Sequence, residues 1–233
     1  SHIQVPIPGR DALVEEIVDR EWEMMRNVVS DGRSLCQERP GTFRAMREMT
    51  HSVLSRDTLA SYAGDLRNAA LEGRNLVTEK YARMEGKIPP VSECPLIARI
   101  VAIESAWMND LCEAFPLTFR SAVAYFERYE SCELETFSDT TLTLLYRDVL
   151  EAREAGRNLV RERYENLFAK LGQGTLAVVQ HDRLVLRRRG RLGVLPLRAP
   201  GQPLVMLAHL GLGLLELGQQ RGGDEDRRVG GGD

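Results

Sequence analysis

The residues of this sequence that could do chemistry are charged side chains placed inside apolar helical stripes. Glu21 lies four positions after Ile17 and three before Met24, which puts it on the apolar face of an amphipathic helix. Glu104 has the same placement on a later helix. A buried carboxylate must be paired, protonated or bound to a metal ion, because burying an isolated charge is strongly unfavourable. These two glutamates are therefore the first candidates for a site.

Two basic side chains, Lys80 and Arg163, lie on comparable apolar stripes of two further helices. A structural interpretation pairs Glu21 with one of them and Glu104 with the other. Such internal ion pairs would fix the register of the helices and would need no ligand. Under this interpretation the protein is a helical interaction or scaffold protein.

A second interpretation makes the protein a carboxylate-bridged metal enzyme. Its ligands would be Glu21, Glu79, Glu104 and Glu162. Four-helix di-metal proteins take a glutamate from each helix, but they also use Glu-x-x-His pairs. His51 is the one histidine between residues 11 and 170, and it belongs to no such pair, which argues against this interpretation. The sequence indicates no particular cofactor.

A third interpretation is a cleft that binds a small polar or anionic metabolite. The candidate residues are Glu21, Trp22, Arg33, Cys36, Gln37, Arg47 and Lys80. The segment from Arg33 to Gln37 is polar, and arginine and amide groups can bind an anionic or amide-bearing ligand. A cysteine beside an arginine could also have the lowered pKa that thiolate chemistry needs, with His51 as the one candidate base. Whether the protein is an enzyme stays open.

The helices that must position these residues form a pattern that occurs twice. Apolar periodicity and capping residues predict helices over residues 11–29, 42–54 and 57–84. The run Gly73-Arg74-Asn75-Leu76-Val77 returns 83 positions later as Gly156-Arg157-Asn158-Leu159-Val160. Self-similarity at a fixed offset indicates duplicated units. Because asparagine is a poor helix former, its repetition here in mid-helix predicts a side-chain hydrogen bond to the neighbouring helix.

The predicted fold is an all-α bundle of two tandem repeated units related by a pseudo-twofold axis. The duplicated helical domain spans residues 1–170, with repeat one over about 11–90 and repeat two over about 94–170. At the positions of Arg33, Cys36 and Gln37, repeat two has Pro116, Phe119 and Arg120. Apolar bulk largely replaces the polar segment there, so we expect the candidate cleft in repeat one.

The last 60 residues differ in composition, because arginine, glycine and leucine dominate them. We predict an appendage over residues 171–221 and a disordered tail over 222–233. The appendage would contain short strands at Thr175–Gln180, Arg183–Leu186 and Leu192–Leu197, followed by a helix at Pro203–Leu217. An altered terminus is the alternative. The arginine-rich stretch 183–198 lacks the interleaved aromatic residues that stack on bases, which argues against nucleic-acid binding.

The overall composition indicates an ordinary globular chain of 233 residues, with 43% hydrophobic and 28% charged residues. A formal net charge of −3 favours neither nucleic acid nor an anionic membrane. No apolar run is long enough to span a bilayer, and no signal segment opens the sequence, so we expect a cytoplasmic protein. The four cysteines form no C-x-x-C pair and are expected to be free thiols. The oligomeric state stays open, a homo-oligomer included.

Several separated motifs together resemble one bacterial family, known as domain of unknown function 4125. They include Glu21-Trp22-Glu23-Met24, Arg33-x-x-Cys36-Gln37, Asn75-Leu76-x-x-Glu79-Lys80-Tyr81-Ala82-Arg83-Met84 and Glu133-Leu134-x-Thr136-Phe137-Ser138-Asp139. The resemblance covers residues 11 to about 168. It departs from the family at Asp31-Gly32-Arg33 and again after Asn158-Leu159. The resemblance implies membership and supplies no activity.

Overall fold

The computed structural model of the chain describes residues 8–28, 35–119 and 123–188. Throughout these ranges the chain forms helices joined by turns and short linkers, without a strand, which confirms the predicted all-α class. The helices are α1 (Arg10–Arg26), α2 (Leu35–Glu38), α3 (Pro40–His51), α4 (Arg56–Leu71), α5 (Leu76–Met84), α6 (Pro95–Ala114), α7 (Val123–Leu134), α8 (Asp139–Glu154), α9 (Leu159–Lys170) and α10 (Leu176–Arg188).

The prediction of a single helix over residues 57–84 is wrong, because the chain forms two helices there, α4 and α5. Gly73 follows α4 with φ +68°, a left-handed conformation that ends a helix and that glycine adopts without strain. Asn75 then starts α5, and its side chain accepts a hydrogen bond from Thr78 N at 2.9 Å. Asparagine is favoured at this capping position and disfavoured inside a helix.

The same asparagine also forms the predicted bond to a neighbouring helix. Asn75 Nδ2 donates to the carbonyl oxygen of Met24, on α1, at 2.8 Å. At positions 83 residues later, Asn158 Nδ2 donates to the carbonyl oxygen of Trp107, on α6, at 3.1 Å. Each asparagine therefore begins one helix and attaches it to another, and the interhelical contact that we predicted is confirmed.

We call helices α1–α5 the first half and α6–α9 the second half. Contacts between the halves come in corresponding pairs: α4 packs against α8, while α5 packs against α7 and α3 packs against α9. The bounds of α4 and α8 differ by 83 positions at both ends, as do those of α3 and α7. The apolar core is continuous through both halves and includes Ile17, Leu59, Ile100 and Leu142, none of which is exposed.

An aspartate from each half caps a helix of the other half. Asp148, on α8, accepts through Oδ2 from Ser55 N at 2.9 Å and from Thr58 Oγ1 at 2.7 Å, at the start of α4. Asp65, on α4, accepts in the same way from a backbone N–H at 3.0 Å and a threonine hydroxyl at 2.7 Å at the start of α8. These bonds satisfy donors that a helix start leaves without intrahelical partners.

The predicted strands at Thr175–Gln180 and Arg183–Leu186 are wrong, because α10 runs through both. Leu176 and Val179, one helical turn apart, are buried against the core. A spacing of three places two apolar side chains on one face of a helix and on opposite faces of a strand, so burial of this pair favours the helix.

The side chain of Gln180 attaches α10 to the turn that follows α6. Its Oε1 accepts from Leu117 N at 3.1 Å and from Thr118 Oγ1 at 3.0 Å. The predicted strand Leu192–Leu197, the helix Pro203–Leu217 and the tail 222–233 lie outside the described residues. In the part of the chain that is described, every helix is too short or too polar to cross a bilayer.

We expect Asp65→Ala and Asp148→Ala each to lower the free energy of unfolding by about 1–3 kcal/mol, because each removes the acceptor of a backbone N–H and of a buried or partly buried threonine hydroxyl. The measurement is urea denaturation followed by circular dichroism. The matched control is Asp110→Ala, at an exposed position on α6, for which we expect a change within about 0.5 kcal/mol. Equal effects at all three positions would contradict the capping role.

Candidate functional site

The strongest candidate site is a buried acid-base cluster between α1, α3, α4, α5 and α7. We define cluster one by the residues Glu21, Arg47, His51, Tyr62, Lys80, Tyr129 and Glu133. All are buried except Tyr129, which is half-buried. The first five come from the first half of the chain and the last two from α7 of the second half. The cluster is thus assembled across the boundary between the halves.

Arg47 is the centre of cluster one and uses every N–H of its guanidinium. Its Nε donates to Glu21 Oε2 at 2.6 Å and its Nη2 to Glu21 Oε1 at 2.9 Å, a bidentate pair. On its other side, Nη1 donates to Glu133 Oε2 at 3.3 Å and to the Tyr129 hydroxyl at 3.2 Å, and Nη2 also binds Glu133. The two carboxylates raise the pKa of Arg47 well above its ordinary value, against the opposing effect of burial.

Glu21 is held in its charged form by four donor groups. Besides Arg47 it accepts from the Tyr62 hydroxyl at 2.9 Å, and its Oε1 lies 2.9 Å from His51 Nε2. Burial alone would raise the pKa of this carboxyl, but Arg47 and His51 hold it well below its ordinary value. Because Nε2 faces a carboxylate, it is the ring nitrogen that carries a proton. His51 Nδ1 is buried and has no hydrogen bond to a described residue.

Lys80 completes the cluster from α5. Its Nζ donates to the Tyr129 hydroxyl at 2.9 Å and lies 3.8 Å from Glu133 Oε2. Burial raises the pKa of Glu133, but Arg47 and Lys80 lower it to about 2. Glu21 therefore pairs with Arg47, and not with Lys80 or Arg163 as the structural interpretation of the sequence expected. Lys80 pairs with a glutamate that the sequence did not single out.

A smaller cluster occupies the corresponding place in the second half. Cluster two consists of Glu104, Glu130 and Arg163. Arg163 Nη1 and Nη2 each donate to one oxygen of Glu104 at 2.8 Å, so the predicted pair of Glu104 with a basic partner is present. Glu130 lies 83 positions after Arg47 and is hydrogen bonded to Glu104. Burial and Glu104 raise the pKa of Glu130 well above its ordinary value, although Arg163 opposes this.

The two clusters differ in polarity. Cluster one has His51 and Tyr62, whereas Leu134 and Leu145 stand 83 positions later. Both leucines are buried in the apolar core. The first half therefore contains the richer set of ionisable groups, and such concentrations of buried ionisable groups occur at functional sites as well as in structural networks.

Of the remaining candidates for a ligand cleft, Trp22 and Gln37 make their described contacts outside cluster one. Trp22 is half-buried and packs on Phe43, with ring centroids 5.5 Å apart. Gln37 Nε2 donates to two backbone carbonyls at the end of α1, at 3.1 Å and 2.8 Å. Arg33 lies outside the described residues, and the side chain of Cys36 is not described either.

The four glutamates proposed as metal ligands do not meet. Glu79 forms a bidentate pair with Arg74, with both N–O distances 2.9 Å, and Glu162 pairs with Arg157 at 2.8 Å and 2.7 Å. Glu21 binds Arg47 and Glu104 binds Arg163 instead. Within the described ranges, no group of three or more His, Cys, Asp or Glu side chains is arranged to hold a metal ion.

The space inside cluster one is very small. A cavity of about 10 Å³ lies among Glu21, Arg47, Tyr62, Lys80 and Glu133. This volume is at the lower limit for one water molecule, whereas pockets for small organic ligands have volumes of about 300–1,000 Å³. The charged groups of the cluster therefore contact one another and leave no room for a metabolite.

A family model described as protein of unknown function (DUF4125) matches residues 11–181. The chain belongs to this family. The matched range contains both clusters and the first residues of α10, and it confirms the resemblance found in the sequence. No curated protein and no solved structure matches the chain.

We expect Arg47→Ala to lower the free energy of unfolding by about 3–5 kcal/mol, because it leaves Glu21 and Glu133 buried without their cation. The matched control is Arg67→Ala, which removes an exposed bidentate pair with Glu16 and should cost about 1 kcal/mol or less. Urea denaturation at pH 7 measures both changes.

Replacing the charged residues around Arg47 with neutral ones of similar size distinguishes two causes of destabilisation: the loss of ion pairing and the loss of side-chain packing. In the triple variant Glu21→Gln, Arg47→Met, Glu133→Gln, no buried charge is left without its partner except that of Lys80. We expect this variant to be more stable than Arg47→Ala. If Arg47→Ala were no more destabilising than the Arg67 control, cluster one would not be a structural tie.

The raised pKa of Glu130 predicts a pH dependence of stability. A carboxyl whose pKa is higher in the folded protein stabilises the fold below its ordinary value of 4.5, and this stabilisation is lost as the pH rises towards the raised value. We therefore expect the stability of the natural protein to decrease above pH 4.5 relative to that of Glu130→Gln. Unfolding free energies between pH 4.5 and 9 measure the difference. The control Glu127→Gln, on the exposed side of α7, should follow the natural protein.

Proposed function

We propose that this protein is a helical interaction or scaffold protein built from two duplicated units, in which the buried acid-base clusters are structural, cluster one joins the units, and neither cluster binds a ligand. The observation that carries the proposal is the saturation of Arg47: each of its N–H groups has a partner inside the protein, around a cavity of about 10 Å³. A binding site needs unpaired polar groups that face an accessible space. In cluster one the unpaired atom His51 Nδ1 is buried, and His51 does not line the small cavity.

The composition of cluster one supports a role as a tie between units. Glu21, Arg47 and Lys80 come from the first half, while Glu133 and Tyr129 come from α7. Separating the halves would expose or leave unpaired at least one charge on each side, which is strongly unfavourable for groups this deeply buried. The cluster thus makes the two halves depend on each other for stability.

Duplication is supported by the geometry that recurs 83 positions apart. The capping aspartates Asp65 and Asp148, the asparagines Asn75 and Asn158, and the bounds of α4 and α8 all correspond at this offset. Each half supplies an aspartate that caps a helix of the other half. Such reciprocal contacts are expected of a self-complementary interface between two copies of one unit. We infer that the chain consists of two such units.

The cellular compartment is inferred from the cysteines. None of Cys94, Cys112 and Cys132 forms a disulfide. Thiols persist in a reducing environment, where structural disulfides are rare. We therefore place the protein in the cytoplasm.

A ligand screen tests the proposal against the metabolite and metal-enzyme alternatives. Melting temperatures of the natural protein are measured with Mn²⁺, Zn²⁺, Fe²⁺ under anaerobic conditions, phosphate, citrate and glutamine. A true ligand at about 100 times its Kd adds about 2.7 kcal/mol to stability, which is several degrees for a domain of this size. We expect no saturable increase from any of these probes that depends on cluster one.

The matched variants for the screen are Glu133→Gln and Glu127→Gln, both on α7. The first changes a member of cluster one conservatively, and the second is exposed. A saturable rise in melting temperature that is present in the natural protein and in Glu127→Gln but lost in a folded Glu133→Gln variant would overturn the proposal and assign a ligand to cluster one.

A further inference from the structure

Among the described helices, only α7 contributes residues to both buried clusters. Its residues Tyr129 and Glu133 bind the two cations of cluster one. Glu130, one position after Tyr129, belongs to cluster two and is hydrogen bonded to Glu104 on α6. The helix packs against both α5 and α6. A small movement of α7 would therefore change contacts in both clusters at once.

The charges of the two clusters cancel when Glu130 and His51 are neutral. Apart from these two groups, the clusters contain three buried carboxylates and three buried cations: Glu21, Glu104 and Glu133, and Arg47, Lys80 and Arg163. His51 suits its neutral form, because a proton on Nδ1 would be a buried donor without an acceptor among the described residues. One more negative charge would therefore have no cation of its own.

An ionised Glu130 would supply this extra charge. The charged and titratable groups that face it are Glu104 on α6, Arg163 and Tyr164 on α9, and Tyr129 and Glu133 on α7 itself. The cation among them, Arg163, already donates through both terminal nitrogens to Glu104. The cations of α3 and α5, Arg47 and Lys80, are engaged by Glu133. Burial and Glu104 accordingly raise the pKa of Glu130 well above its ordinary value.

The hydrogen bond between Glu130 and Glu104 requires a proton, because two ionised carboxylates contain no donor. Loss of that proton removes a bond between α7 and α6 and replaces it with repulsion. Glu130 is half-buried, whereas Glu104 and Arg163 are buried, so Glu130 is the member of cluster two that can move towards water. It lies within one helical turn of Tyr129 and Glu133. Its outward movement would therefore also disturb the contacts of α7 with cluster one.

We propose that α7 is a pH-sensitive switch, which is docked while Glu130 carries a proton and is released from α6 and from cluster one when that proton passes to the solvent. The charge change is confined to one carboxyl and the element that moves is one helix. The reciprocal caps at Asp65 and Asp148 belong to neither cluster, so α4 and α8 stay in contact. The inference rests on the part of the proposed function in which cluster one joins the units. It makes no use of the ligand screen, so the two tests can fail separately.

The test is amide hydrogen exchange of the full chain between pH 4.5 and 9, followed for each helix by mass spectrometry. Dividing the rates by those of unstructured peptides at the same pH leaves a protection factor that reports how often each helix opens. Above the pKa of Glu130, we expect the protection of α7 to fall by up to about tenfold per pH unit, because opening is then linked to one proton. The protection of α5 should fall with it, and that of α4 and α8 should change much less.

The decisive variant is Glu130→Gln, because an amide does not ionise in this range and can still donate a hydrogen bond to Glu104. We expect α7 of this variant to keep its protection at every pH, whereas the matched control Glu127→Gln, on the exposed side of α7, should lose it as the natural protein does. Constant protection of α7 in the natural protein would overturn the proposal. So would a loss that persists in Glu130→Gln, or an equal loss in α4, α7 and α8, which would indicate a change in global stability.

Discussion

The rest of this structure depends on the burial of opposite charges that can be satisfied only by one another. Glu21, Arg47, Lys80 and Glu133 are all withdrawn from water, and each would be strongly destabilising alone. Because they come from α1, α3, α5 and α7, the position of each helix is fixed by the needs of the other three. Apolar packing alone would tolerate small shifts among these helices, but a bidentate pair with N–O distances of 2.6 Å and 2.9 Å does not.

The two halves meet the same electrostatic requirement by different means. In cluster one the carboxylate of Glu21 faces an arginine, whereas in cluster two a glutamate, Glu130, stands at the position of Arg47. The negative charge of one carboxylate makes ionisation of a neighbouring carboxyl unfavourable. In cluster two, Arg163 already forms an ion pair with Glu104. The pKa of Glu130 is therefore raised, at the position where the first half places a cation. A related fold can thus retain its helix packing while the chemistry of its buried groups changes.

The same contrast holds at the surface of the molecule. The reciprocal caps at Asp65 and Asp148 keep the central contact of α4 with α8 alike on both sides. Farther from this contact the halves differ, because the chain leads from α5 into α6 but from α9 into α10. On one side Val91, in the linker of residues 85–94, donates through its backbone N–H to Glu135, whereas at the corresponding positions on the other side Asn166 donates to Ser52. Departures from symmetry are therefore found where connectivity differs.

The sequence by itself determined the local properties of this protein. Apolar periodicity indicated an all-α fold, the spacing around Glu21 and Glu104 showed that charges would be buried, and the recurrence of Gly73-Arg74-Asn75 marked corresponding positions. These are properties of single helices, and a helix presents residues three and four apart on one face whatever surrounds it.

Only the tertiary structure decided which charges meet. Glu21 binds Arg47, and Lys80 binds Glu133 and Tyr129, because α5 packs on a helix of the other half. Periodicity contains no information on such long-range pairing. The tertiary structure also decided that α10 is a helix, since a short apolar run suits a strand or a helix equally until a neighbouring surface buries one of its faces.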